Sequence, residues 1–191
     1  MLVHPRHTLS IGYALVLAWA ALLLGTPLAR PLEFGLLDAQ QALLLRYAPQ
    51  PVRKDVVIVG IDEASLQQFA EPFALWHGHI GTFLRGMALA KASVVGLDVA
   101  LPSRSFDKVL PGSDAKLLSG LVAARPLVPV VLGTSADGTG KPLSIYPPFV
   151  TLAGAGGTGS LLLAPDADHV VRRFNERLGA GGRQIPSLAG Q

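Results

Sequence analysis

Asp62 and Asp98 each follow a short β-branched run, Val56-Val57-Ile58-Val59-Gly60-Ile61 before the first and Val94-Val95-Gly96-Leu97 before the second. If both runs are parallel strands, both carboxylates stand at carboxyl ends, the edge where open α/β sheets bind ligands. Two carboxylates there could hold Mg²⁺ or a cationic ligand. In a competing reading each serves its own turn, with Asp62 capping the helix that follows and Asp98 bonding loop amides. Ser65 shares the Asp62 turn, and a Phe73–His79 loop carrying Trp76 and His77 could lid such a site. Asp62, Ser65, Trp76, His77 and Asp98 are therefore the candidate ligand-binding residues.

Other chemistry is thinner. Gly154-Ala155-Gly156-Gly157-Thr158-Gly159-Ser160 could nest an anion, but it lacks a Gly-Lys-Ser/Thr ending and a strand-to-helix setting. His77 and His79 could offer two imidazoles to a metal, yet no third ligand stands at a telling spacing. Asp166 and Asp168 beside Arg172 and Arg173 read as turn-stabilising pairs. Ser65 and Ser103 lack a G-x-S-x-G elbow. There is no cysteine, which excludes disulfides and thiolate chemistry, and no basic patch with interleaved aromatics, so no nucleic acid is expected. No catalytic constellation, resident metal or cofactor is expected.

The elements that would position these residues follow from the periodicity. Asp55–Ile61 reads as a strand buried on both faces. A short helix runs from Asp62 to Phe69 and a second from Ile80 to Ala90. Ser93–Asp98 is a second buried strand, Asp114–Ala124 a helix, and Leu127–Leu132 a third strand. Pro129 places that third strand at an edge or starts it later. Gly133–Thr158 reads as irregular. Gly159–Leu163 and Val170–Asn175 read as an antiparallel pair, and a new helix begins at Ser187. The fold class is α/β: a parallel βαβαβ core with an added antiparallel hairpin.

Ahead of this core, Thr8 to Ala29 carries no formal charge, long enough as a helix to cross the bilayer's hydrocarbon core. Its length and Pro27-Leu28 favour an uncleaved anchor over a signal peptide. The expected division is a cytoplasmic 1–8, a transmembrane helix 9–29, a juxtamembrane helix 31–48 and a domain over 55–191. Arg30 and Arg46 behind the anchor, against Arg6 before it, lean toward a cytoplasmic C-terminal flank.

Four segments in this order resemble the CHASE type 2 sensory domain: Leu36-Leu37-Asp38…Leu45-Arg46, Val56…Ile61-Asp62-Glu63-Ala64-Ser65-Leu66, Val94-Val95-Gly96-Leu97-Asp98, and Pro165-Asp166-Ala167-Asp168-His169-Val170-Val171-Arg172-Arg173. Pro186-Ser187-Leu188-Ala189 is similar to the helix start after that hairpin. Ala74 replaces a proline of the family pattern, His77 an arginine, and His169 the turn glycine, where φ > 0 is wanted. The resemblance implies an extracytoplasmic sensory module of a bacterial inner-membrane signalling protein, opposite to the charge lean. It implies a small-molecule ligand, no enzymatic activity of its own, and a homodimer formed through a parent bearing a cyclase, histidine kinase or Ser/Thr kinase. The family's domains run past Pro186, so the domain is expected to be incomplete here. The alternative is a membrane-anchored metal-dependent α/β enzyme using Asp62 and Asp98.

Overall fold

The computed structural model describes residues 5–25, 29–138, 141–180 and 183–191. The chain divides into two units, 1–59 and 60–191. In the first, α1 spans Pro5–Gly25 and α2 spans Arg30–Tyr47, with Pro31 in its first turn, where the missing N–H is no loss. α2 buries none of its residues. Among the described residues, no helix is long and apolar enough to cross a membrane. The expected span also takes in residues 26–28, which lie outside them.

The second unit holds the core. α3 (Glu63–Gln68) is followed by a single 3-10 turn at Phe73–Leu75 and by α4 (His77–Leu89). Then come β1 (Val95–Leu97), α5 (Ser113–Ala124), β2 (Val130–Thr134), α6 (Pro147–Ala153) and β3 (Thr158–Ser160). The three strands form one parallel sheet in the order β1-β2-β3, registered Val95 to Val130 and Leu132 to Thr158. β2 is central and starts just after Pro129, so the proline removes no ladder donor. The Pro129 carbonyl still accepts from Val95 N–H at 2.9 Å.

α4 and α5 pack closely because glycines face each other. A Cβ on Gly120 would lie 2.5 Å from the Gly81 Cα, and one on Gly81 would strike the Lys116 carbonyl. Leu84, Leu117, Leu121, Leu132 and Phe149 are at most 1% exposed and form the centre of the core. Fully burying each contributes about 1.5–3 kcal/mol. α4 stops in a Schellman arrangement, with Ala92 N–H bonded to Met87 O and Lys91 N–H to Ala88 O. Lys91 takes the left-handed position at φ 55°.

The sequence reading needs four corrections. Asp55–Ile61 is no strand: Val56, Val57, Ile58, Val59 and Ile61 are 44–90% exposed and pair with nothing among the described residues. β-propensity needs a neighbouring strand to become structure, and β1 finds its partner in β2. The antiparallel pair is also displaced. Gly159-Ser160 pairs parallel with β2, while the hairpin forms later from β4 (Arg177–Ala180) and β5 (Arg183–Pro186). A backbone-bonded turn with side-chain ion pairs, not a ladder, holds the 165–173 stretch. Finally, the stretch read as irregular contains α6, opened by Pro147 and Pro148 and anchored by the wholly buried Phe149. The helix expected from Ser187 is one 3-10 turn, Leu188–Gly190, capped by the Ser187 hydroxyl. Leu188 lies against Gly96 and Gly159 on the sheet.

Candidate functional site

Asp62 is the N-cap of α3. Its Oδ1 accepts from the Ser65 hydroxyl at 2.7 Å and from the Ser65 backbone N–H at 2.8 Å. Those two bonds, the hydroxyl's foremost, hold the carboxyl below its ordinary range. Ser65 is thus committed to the cap. With the preceding run unpaired, Asp62 does not stand at the end of a sheet strand. Asp98 does, one residue beyond β1. Its side chain is exposed and makes no hydrogen bond or ion pair with the described residues. No group of three or more His, Asp or Glu side chains that could hold a metal ion occurs among the described residues.

Trp76 and His77 are buried, not displayed on a lid. The 69–79 segment packs on itself. Phe69 meets Trp76 edge-on at 4.8 Å and His79 at 4.0 Å between ring centres, and Phe73 meets Trp76 at 5.2 Å. Trp76 Nε1 donates to the Glu71 carbonyl at 3.0 Å, and His79 Nε2 lies 2.7 Å from Glu71 Oε1. The Glu71 backbone N–H, then His79, lower the Glu71 carboxyl's pKa. His77 turns to a different partner from His79, so the two imidazoles do not converge.

His77 Nδ1 lies 3.0 Å from Asp114 Oδ1, with both side chains at most 4% exposed. Asp114 also accepts from Phe106 N–H, at 3.2 Å on Oδ2 and 3.3 Å on Oδ1. Its own N–H donates to Asp107 Oδ1 at 2.9 Å. A carboxylate only accepts, so Nδ1 carries the shared hydrogen. The ring stacks on Phe106 at 5.7 Å and meets Phe149 edge-on at 5.4 Å. His77 Nε2 and the Ser113 hydroxyl are both buried without a hydrogen-bond partner among the described residues, so they do not bond to each other. Among the described residues, no Ser–His–Asp relay is assembled at this pair. The sequence reading took Asp114 only as a helix start; its pairing with His77 is a long-range contact with no local signal.

The 165–173 turn is held by two backbone bonds, Asp166 N–H to Val170 O and His169 N–H to Asp166 O at 2.9 Å each, and by charge. Arg172 Nη1 reaches Asp166 Oδ2 at 3.3 Å and Asp168 Oδ1 at 2.9 Å, and its Nη2 reaches Asp168 Oδ2 at 2.8 Å. Arg173 Nη1 adds 3.4 Å to Asp166 Oδ1. The Arg172 guanidinium is the main reason the Asp168 carboxyl is lowered to about 2. His169 sits at φ 64°, the left-handed conformation expected at this position. The glycine-rich 154–160 stretch is no nest ahead of a helix: Gly154 and Gly156 turn at positive φ, and the chain then enters β3.

A family model, the CHASE2 domain, matches residues 14–191. No curated protein and no solved structure matches the chain.

Proposed function

This chain belongs to the CHASE2 domain family, and from that premise we propose that residues 31–191 are the extracytoplasmic sensory module of a bacterial transmembrane signalling protein. CHASE2 domains are extracytoplasmic sensory domains. The family match over residues 14–191 carries the proposal. In this reading the uncharged Thr8–Ala29 segment is the anchor and the N-terminal residues are cytoplasmic. A ligand bound outside shifts a conformational equilibrium that the membrane segments report inward. The output enzyme, a cyclase or kinase, lies in the parent protein, and the module binds without turnover. Asp98, exposed and unpaired at the carboxyl end of β1, is the acidic group best placed to meet a cationic or hydroxyl-rich ligand.

Single cysteines at Ser135 and Ser144 test the topology with a membrane-impermeant thiol reagent in whole cells. The expected result is labelling in intact cells. Labelling only after lysis places the domain in the cytoplasm and overturns the proposal.

A further inference from the structure

The His77–Asp114 pair serves none of the roles above, yet it joins three elements. His77 is the first residue of α4 and Asp114 the second of α5, so both side chains sit at helix N-termini. That end of a helix favours an anion and disfavours a cation. Asp114 is well served as a carboxylate, by the imidazole and by Phe106 N–H. Asp114 can hold the His77 Nδ1–H in either protonation state, but Nε2 has no protein acceptor among the described residues. A proton added at Nε2 would create a buried cation whose new N–H has no protein acceptor, between Phe106 and Phe149. Asp114 offsets the ring's charge, and the cost that remains is a buried donor without an acceptor beside two helix N-termini.

Among the charged groups around the ring, Asp114 favours the cation, and the others are exposed or engaged elsewhere. From α5, Asp114 is the contact, and Lys116, itself exposed, runs its side chain beside Gly78. From the 98–112 connection, Asp107 is engaged with Asp114 N–H, and Arg104 and Lys108 are exposed. α6 presents Phe149, and His79 on α4 itself is bound to Glu71. Phe106 is the wall that faces the ring from outside the helices. It lies in an irregular connection, bound to the pair by its stacked ring and one backbone N–H.

We propose that the buried His77–Asp114 pair is a proton-binding switch: it holds the 98–112 connection closed while His77 is neutral, and releases Phe106 when His77 takes up a proton. As a stimulus for the module, the proton rests on the sensory reading above; the switch itself does not.

The test is amide hydrogen exchange on the full chain in detergent, read by mass spectrometry at about pH 7.5 and about pH 5.5 and corrected for intrinsic rates, a range that spans ordinary histidine titration. Peptides covering 98–116 should lose protection about tenfold or more at the lower pH, with β2 unchanged. His77→Gln keeps a donor for Asp114 but binds no proton, so it should abolish the step. His79→Gln should retain it. A wild type without the step, a step that survives in His77→Gln, or one lost in His79→Gln overturns the proposal. If His77→Gln does not fold, imidazole nitrogen NMR on the wild type decides. Nε2 must be bare at the higher pH and gain its proton as the connection opens; one state throughout overturns the switch. Exchange needs no output domain, so failure here leaves the topology test standing, and the reverse holds.

Discussion

Gly120→Ala should pry α4 from α5. The added methyl would lie 2.5 Å from the Gly81 Cα and carbonyl oxygen, against about 3.5–4.0 Å for a relaxed carbon contact. Relief therefore requires the helices to part by roughly 1 Å. Overpacking of this kind costs about 1–3 kcal/mol. The same displacement stretches the His77–Asp114 bond, now 3.0 Å, out of range and adds about 1–3 kcal/mol for buried partners left unsatisfied. Against this, alanine gains only about 1 kcal/mol over glycine in a helix interior. The expected net loss is about 1–5 kcal/mol. Gly86, also in this helix pair, supplies the control: a Cβ there meets nothing within 4 Å, so Gly86→Ala should gain about 0.5–1 kcal/mol. Urea denaturation of the full chain in mild detergent, followed by circular dichroism, measures both. A Gly120→Ala protein as stable as the wild type, or a destabilised Gly86→Ala, would refute the close glycine contact.

Lys91 and His169 both occupy left-handed backbone at φ 55° and 64°. Lys91→Gly and His169→Gly should each raise stability by about 0.5–1 kcal/mol in the same denaturation experiment, since glycine carries no Cβ penalty there; a loss in either denies the strain. The lowered Asp168 carboxyl gives the 165–173 turn an acid limit. Its folded value of about 2 lies below the ordinary 3.8, so its contribution is complete above about 3.8 and disappears as pH falls toward 2. Backbone NMR of the turn should show it loosening over that window, with Asp168→Asn removing the pH dependence; an unchanged profile in that variant contradicts the role of the ion pair.

Much of the second unit was legible because its signals are local. Apolar spacing marked α4 and α5 to within three residues, and β-branched runs marked β1 and β2. Pro129 foretold a late start for β2. The Asp62 cap was readable from an acidic residue just before a short helix. The misreadings are of another kind. Val56–Ile61 has the composition of a buried strand, but pairing is decided by which neighbour is available, and composition carries no record of that. Val170–Asn175 alternates less decisively than Arg172 binds its two aspartates. α6 was hidden because paired prolines usually announce a loop, whereas in a helix's first turn they are harmless. The His77–Asp114 contact depends on the Gly81–Gly120 approach, a tertiary event with no sequence motif. The resemblance to a sensory family rested on turn motifs, and these survive changes in how far each strand runs.

The sheet order sets a clock for folding. Each of its ladders joins residues far apart in the chain, Val95 to Val130 and Leu132 to Thr158, so no hairpin can nucleate it. A helix and two connections must be placed before each ladder yields its first bond, and closures of that kind put folding in the millisecond-to-second range. Until then β2, the most continuously apolar strand, has both edges open to any passing chain. A newly made copy is thus most at risk of self-association in the interval between helix formation and sheet closure, so its recovery depends on how many other copies are folding beside it.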